Sequence, residues 1–483
     1  MTQEKSPKKT YREARTGSVS LTLLACLVGS WVVTGCMEPE VPKATRDPRT
    51  QKWLDRAKAS FRVVDMDDAS DAAEEALRAS PNDPEVRMVA AHVALAQLDY
   101  SKALQLTEGI ATSESYALRG RAHWYAGNVE EAGKELGLLL RDPEVHDDWA
   151  KAVVQLAARG AGRKPFTSTG GILATTEMPR IRGTAMAIPV EIDGEQGLAL
   201  IATGTAEVVL DSSQRKEPSW VSIGIGGRIE YQDVPALTRD LSGVAKQLGI
   251  PSIKAMLGVN FLRHVNGTFD FMAQQFVARR FEPPRPPNAT DVPLSYVRGG
   301  GMVFRTSLKP DGQAPAAVMV DTAMAFPIAL DTPGWKKAGV DLASLRPIPN
   351  EPKLKEGVVS MLRMGAYDLP QVAGVAGVEF GGVESVLGID LDGVVGSGLV
   401  GGFRVTFGNG GRTMWLEDEA ASGAVPVGGA PEEPQGPPGS SAPPVPGSAA
   451  PPPASQPPPG GIPGSGPIDP SARPPVPPGR APK

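Results

Sequence analysis

Residues 197–212 read GLALIATGTAEVVLDS, and a related stretch, AVMVDTAMAFPIAL, occupies residues 317–330. In each stretch an apolar run leads into a short polar triplet and a second apolar run follows. This pattern predicts two short buried strands joined by a tight loop. The triplets differ on either side of a shared threonine: they are Ala202-Thr203-Gly204 and Asp321-Thr322-Ala323.

A second similarity lies downstream of the two loops. Residues 257–270, LGVNFLRHVNGTFD, align without a gap with residues 395–408, VGSGLVGGFRVTFG. Leu257 thereby matches Val395, 138 positions later. Because both the loop and the later motif occur twice, the sequence predicts an internal duplication.

Short alternating strands punctuated by glycine continue from about residue 160 to residue 417, as in all-β structure. A proline-rich segment at 283–290 interrupts them and cannot lie in a central strand. We therefore expect two β lobes, residues 166–282 and 291–417, with the proline-rich segment as their linker.

The loops and the motif that follows each of them resemble the aspartic peptidases of the retropepsin and pepsin type, over about residues 166–417. The resemblance implies that each lobe supplies one aspartate, and that the two share a proton and activate a water molecule. It also implies that Thr203 and Thr322 brace the loops and that Gly204 lets its loop turn tightly. The hairpin at 220–231 is the candidate flap over the cleft.

Two residues depart from the Asp-Thr-Gly pattern of that family. Ala202 stands where the first aspartate belongs, so Asp321 is the candidate catalytic residue and has no partner in the same chain. Ala323 replaces a glycine and is expected to distort the second loop if that position requires a positive φ. The family's chemistry uses neither a metal nor a cofactor, and none is expected here.

Three functions follow from these departures. The first is a degenerate peptidase fold that binds a peptide or an envelope protein without cutting it. The second is an active aspartic endopeptidase in which Asp321 pairs with Asp321 of another molecule in a homodimer. The third is a purely structural envelope lipoprotein.

Residues 51–160 have apolar positions at helical spacing. Three segments open alike around Ala73, Ala103 and Ala132, at intervals slightly shorter than the roughly 34 residues of tetratricopeptide arrays. The region resembles such an array, which implies a concave surface for a peptide or a partner protein. The alternative is a plain helical spacer between the membrane and the β region.

The first 35 residues form an expected signal peptide, with a basic start and an apolar stretch too short to span a membrane. The stretch ends in Val33-Thr34-Gly35-Cys36, which resembles a bacterial lipobox and makes Cys36 the candidate lipidation site. The alternative is an ordinary secretory signal with an incidental cysteine. Because no aspartate follows Cys36, resemblance to other lipoproteins favours the outer membrane, with residues 36–50 as the tether.

The tail, residues 418–483, is composed mainly of Pro, Gly, Ser and Ala and is expected to be disordered because it cannot bury enough apolar surface. The chain carries 49 basic and 54 acidic residues, a net charge of −5, so no nucleic-acid partner is expected. The sequence thus predicts a multidomain α plus all-β protein. A helical array comes first, and a two-lobed β domain and a disordered tail follow.

Overall fold

The computed structural model describes residues 46–418, apart from residues 180, 182–183, 311, 313 and 350. The expected signal peptide, Cys36, most of the tether and the tail beyond Asp418 lie outside the described residues. A helical region comes first and a β-rich region follows, which confirms this part of the predicted fold class. Within the described residues no helix is long and apolar enough to cross a membrane.

Seven helices form the helical region within residues 46–160 of the described chain, and capping side chains mark the starts of several of them. Asp83 accepts hydrogen bonds from the N–H groups of Glu85 and Val86, and Pro84 occupies the first helical position. Thr112 begins another helix with a capping box. The helices are α1 Pro48–Arg62, α2 Met66–Ala79, α3 Pro84–Ala96, α4 Tyr100–Thr107, α5 Ser113–Tyr125, α6 Val129–Leu139 and α7 Asp148–Ala158.

The three alanines singled out in the sequence occupy equivalent places. Ala73, Ala103 and Ala132 lie in α2, α4 and α6, the second helices of three consecutive helix pairs. All three are buried. Their small side chains allow the backbones of neighbouring helices to approach closely. The first helix begins at Pro48, inside the stretch expected to be a tether.

Two large sheets and one smaller sheet form the β-rich region. The first sheet has the order β1-β7-β5-β8-β4-β3-β6 and the second β12-β13-β14-β19-β15-β18-β17-β16. The first contains β1 Thr167–Gly170, β3 Ala187–Ile192, β4 Glu195–Ile201, β5 Val208–Asp211, β6 Ser219–Ile225, β7 Ile229–Arg239 and β8 Ala255–Leu257. The second contains β12 Ser295–Val297, β13 Gly301–Thr306, β14 Ala316–Asp321, β15 Ile328–Leu330, β16 Arg346–Ile348, β17 Glu351–Met364, β18 Tyr367–Ala376 and β19 Gly393–Gly396.

The two large sheets repeat one connectivity. In the first sheet, β4 runs parallel to β8. Strand β5 runs antiparallel to β8 on one side and parallel to β7 on the other. In the second, β14, β15, β18 and β19 reproduce the same three pairings. Short helices accompany the strands: α8 Ser242–Leu248, α9 Val259–Val265, α10 Thr332–Lys337, α11 Gly381–Leu387 and α12 Ser397–Val400. The duplication read in the sequence is thus present in the strand pairing.

Strands from both halves of the β region build the third sheet. Thr268 and Thr406, 138 residues apart, pair across its centre, and their hydroxyl oxygens lie 2.8 Å from each other. The halves are therefore joined by a shared sheet, in addition to the proline-rich segment, which ends where β11 begins at Thr290. The sheet has the order β11-β21-β20-β9-β10-β2, with β2 Leu173–Glu177, β9 Thr268–Asp270, β10 Gln275–Arg279, β11 Thr290–Pro293, β20 Arg404–Gly408 and β21 Thr413–Glu417.

The helical region packs against the β region through shared buried clusters. Trp124 and Val153 belong to a cluster that includes Ala206 and Leu237 of the β region. Met66 similarly contributes to a cluster built mainly from the second large sheet. The helical region therefore buries part of its own core against the β region, which a plain spacer does not require.

Candidate functional site

The two polar loops begin at equivalent strand ends. Strand β4 ends at Ile201, paired with Leu257 of β8, and Ala202 follows directly. Strand β14 ends at Asp321, paired with Gly396 of β19. Because these strands have the same role in two sheets of equal connectivity, the loops meet at the boundary between the two halves of the β region.

Hydrogen bonds between two threonines hold the loops together. The Thr203 hydroxyl donates to the Val320 carbonyl at 2.9 Å and accepts from the Thr322 N–H at 3.0 Å. The Thr322 hydroxyl donates to the Ile201 carbonyl at 2.9 Å and accepts from the Thr203 N–H at 3.2 Å. Each side chain thus satisfies a backbone donor and a backbone acceptor of the opposite loop, and both are buried.

Asp321 is buried at this junction, with 3% of its surface exposed. Its Oδ1 accepts a hydrogen bond from the Ala323 N–H at 3.0 Å. Burial raises the pKa of the Asp321 carboxyl to about 6, although hydrogen bonds from the N–H groups of Ala323 and Gly204 favour the charged form. At neutral pH the site therefore holds a largely ionised carboxylate, which takes up a proton in mildly acidic solution.

Ala202 occupies the corresponding place in the first loop, and it is buried in an apolar cluster that also includes Ala323, Val209 and Leu241. The nearby carboxyl of Asp211 accepts a hydrogen bond from the Leu241 N–H at 3.0 Å and belongs to the end of β5, not to either polar loop. The structure therefore brings Asp321, Thr203, Gly204 and Thr322 together, and the two loop triplets supply one carboxylate, with Ala202 in the place of a second.

The need for glycine at position 204 is steric. A Cβ added to Gly204 would lie 2.5 Å from Oδ2 and 2.7 Å from Oδ1 of Asp321, well inside van der Waals contact. Neither Gly204 nor Ala323 has a positive φ. The expectation that Ala323 distorts its loop through a required positive φ is therefore wrong. Ala202 and Ala323 belong to one buried apolar cluster. From the matching roles of the two loops we infer that the Ala323 methyl lies towards Ala202, as a Cβ on Gly204 would lie towards Asp321.

A mainly apolar cavity of about 240 Å³ opens beside Asp321. Gly204, Leu237 and Val394 belong to its β wall. Helices of the N-terminal region supply another wall, through Arg121, Tyr125 and Trp149. The cavity is therefore enclosed jointly by the helical region and both halves of the β region.

The hairpin of β6 and β7 contains the candidate flap, residues 220–231, but its tip lies away from this cavity. A Cβ on Gly226 would lie 2.8 Å from the carbonyl oxygen of Thr175, in the shared sheet. The part of the hairpin that lines the cavity is the opposite end of β7, at 237–239. The prediction that the hairpin covers the cleft is wrong, and the helical region stands over the cavity instead.

Glu207 connects the first polar loop to the helices. The indole N–H groups of Trp124 and Trp149 donate to its Oε1 at 3.2 and 3.1 Å. Burial raises the pKa of the Glu207 carboxyl, and the two indole hydrogen bonds oppose that rise. The sequence patterns did not predict this contact between Glu207 and the two tryptophans. Its signal is an acidic residue inside an otherwise apolar run, since a buried charge requires polar partners.

The described residues contain no group of three or more His, Cys, Asp or Glu side chains placed to hold a metal ion. The polar chemistry of the cavity instead comes from Asp321, Glu207 and three arginines, Arg121, Arg239 and Arg298.

Two weak structural neighbours are among the solved structures that match this chain. A retropepsin-like aspartic protease from Rickettsia conorii matches 26% of this chain and 90% of its own, with 19% identity and a TM-score of 0.20. The first TPR domain of Spaghetti (RPAP3), bound to an HSP90 peptide, matches 23% of this chain and 93% of its own, with the same identity and TM-score. No model of a known protein family and no curated protein matches the chain. At these scores the likenesses assign no role to any residue.

Proposed function

We propose that the β region is a catalytically degenerate relative of the aspartic peptidases, which binds a peptide or a protein segment beside Asp321 without cutting it. The observation that carries this proposal is the single carboxylate at the junction of the two loops. The family's chemistry needs two acidic groups that share a proton. Ala202 and Ala323 fill the place of the second acid with methyl groups.

The repeated strand pairing, the threonine hydrogen bonds and the duplicated motif support the relation to this family. The helix pairs with their recurring buried alanines support a tetratricopeptide-like array for residues 51–160. We further propose that Cys36 carries a lipid that attaches the protein to the bacterial outer membrane. Release of a Cys36→Ser variant from the membrane fraction would support the anchor, and retention would contradict it.

An active homodimer is the less favoured alternative. Asp321 is almost fully buried, and its carboxyl lies against Gly204 of the same chain. A second molecule could bring its own Asp321 to this carboxyl only by displacing the first loop and breaking the hydrogen bonds between Thr203 and Thr322. A symmetric dyad would thus cost the contacts that hold the junction together.

A cleavage assay tests the proposal. The full-length protein, purified in detergent, is incubated with a casein digest at pH 4 to 6, and the products are followed by mass spectrometry. We expect no cleavage by the wild-type protein. Cleavage that disappears in Asp321→Asn and is blocked by a statine inhibitor would overturn the degenerate assignment.

Restoring the second acid tests the same idea from the other direction. Because the Ala323 methyl faces position 202, the substitution Ala202→Asp alone would bring a carboxyl against that methyl. We expect cleavage only from the double variant Ala202→Asp with Ala323→Gly. If the single and double variants are equally inactive while both remain folded, the lack of a second acid is not the sole defect.

A further inference from the structure

Arg298 lies at a hairpin tip at the edge of the cavity. This tip joins β12 to β13, and Arg298 has a φ of 52°. Ten other non-glycine residues of the described chain also have a positive φ, so the angle fits the turn and is not by itself a sign of function. The following residues, Gly299 and Gly300, pass so close to Tyr125 and Ala206 that a Cβ on either would overlap them. The helical region thus holds this hairpin tip in place.

The Arg298 side chain is available to a ligand. It lines the cavity and remains exposed, although protein surrounds it on several sides. Crowding and the neighbouring Arg121 lower its pKa to about 10, so it is still charged at neutral pH. It forms no ion pair with any of the residues that the structure describes. Arg121, by contrast, lies 3.5 Å from Asp147 and over the ring of Trp149.

The acidic groups near Arg298 already have partners. The Glu207 carboxyl accepts the indole hydrogen bonds, and the Asp321 carboxyl accepts backbone N–H groups. Of the two acids whose charges act on Arg298, Asp147 pairs with Arg121 and Glu114 with His92. The cavity therefore presents an exposed arginine without an acidic partner among the described residues, next to a mainly apolar lining. That arrangement complements an anion attached to an apolar group.

We propose that the cavity binds the C-terminal residue of a peptide, with its carboxylate on Arg298 and its apolar side chain against the lining formed by Leu237, Val383 and Leu387. This inference rests on the proposed function, and it names the class of ligand. A peptide fits better than a fatty acid, because the polar groups of Thr205 and Thr238 also line the cavity. The Thr238 hydroxyl already donates to the Lys216 carbonyl at 3.3 Å, so the Thr205 hydroxyl is the group that an acyl chain would leave without a partner and that a peptide amide can pair with.

The test compares two ligands that differ only in charge. N-acetyl-Leu-Phe with a free carboxylate and its C-terminal amide are titrated into the full-length protein in detergent by calorimetry. We expect the acid to bind at least about tenfold more tightly, as expected for a charge-assisted hydrogen bond. Equal affinities, or no binding of either compound at millimolar concentration, would overturn the inference.

Arg298→Asn is the informative variant, because asparagine tolerates a positive φ and should leave the fold intact while removing the charge. We expect it to lose the preference for the acid, and Arg298→Lys to retain part of it. Arg346→Gln, an exposed arginine outside the cavity, serves as the matched control and should behave as wild type. Melting temperatures show that each variant is folded. A preference that survives in Arg298→Asn would also overturn the inference.

Two further outcomes separate this inference from the proposed function. If the acid is preferred and the peptide is also cleaved, the ligand class stands and the non-cutting function fails. If decanoic acid binds more tightly than the peptide acid and decanamide does not, the carboxylate contact stands, but the assignment to a peptide fails.

Discussion

The loop at Ala202 and the loop at Asp321 end equivalent strands of two sheets with the same connectivity, yet they carry different side chains. Their threonines exchange matching hydrogen bonds. The residues after and before the threonines differ: Gly204 lies against the acid of the opposite loop, whereas Ala323 shares an apolar cluster with Ala202. An aspartate before the threonine of one loop therefore requires glycine after the threonine of the other loop. Loss of the aspartate removes this requirement.

The substitution Gly204→Ala should destabilise the contact between the two loops more than any other change considered below. The added Cβ would meet the buried carboxyl of Asp321 at 2.5 Å, and that carboxyl is held on its other side by Ala323. We expect the free energy of unfolding to fall by about 4 kcal/mol, at the upper end of overpacking effects. Urea denaturation measures it.

The matched control is the double variant Gly204→Ala with Asp321→Ala, which copies the pairing of Ala202 with Ala323. It should recover most of the lost stability. If Gly204→Ala is as stable as wild type, or if the double variant is additive, the steric link between the loops does not exist.

The buried Asp321 carboxyl should also make the free energy of unfolding depend on pH, whereas Ala202 in the other loop has no group that titrates. Burial raises the folded-state pKa of Asp321 to about 6, above the ordinary value of 3.8 for an aspartate, so folding favours the protonated form. Its contribution to stability is complete below the unfolded-state pKa and is lost as pH rises to about 6. Relative to Asp321→Asn, the wild-type protein should lose about 3 kcal/mol between pH 3.5 and pH 7.

Urea denaturation of both proteins across this pH range checks the prediction. The difference should level off above about pH 6.5, where Asp321 is ionised in both states. A difference that stays constant with pH would mean that burial does not raise the pKa of this group.

The two threonines should contribute equally to the stability of the protein. Thr203→Val and Thr322→Val each leave a buried N–H and a buried carbonyl without their partner, and each should cost about 2 kcal/mol. Thr→Ser at either position keeps the hydroxyl and should cost less than about 1 kcal/mol. The double valine variant should cost less than the sum, since the two side chains share one network. Unequal valine effects would show that one loop depends less on its partner.

The sequence anticipates the loops better than their surroundings. The constant spacing of 138 residues reappears in the structure as the pairing of Thr268 with Thr406, because a duplicated chain preserves its register. The sequence also placed Ala202 and Asp321 in corresponding loops. It misjudged Ala323, because a backbone angle was invoked where the space available for a methyl group decides.

The walls of the cavity were beyond sequence reasoning. Trp124 lies 83 residues before Glu207, and periodicity shows that such residues are buried without showing what they are buried against. Arg298 precedes three glycines between two strands, which indicates a hairpin tip. That pattern does not reveal that the tip packs under Tyr125 of a distant helix.

Ala323→Gly gives the smallest and most specific test of the comparison. If the methyl of Ala323 fills the space beside Ala202, its removal loses buried apolar contact and adds backbone freedom to the unfolded chain, at a cost of about 1 kcal/mol. In an Ala202→Asp background the sign should reverse, because the glycine then makes room for the carboxyl. A double-mutant cycle in urea measures this coupling. A cycle that closes without coupling would mean that positions 202 and 323 do not face each other, and that the loops diverged independently.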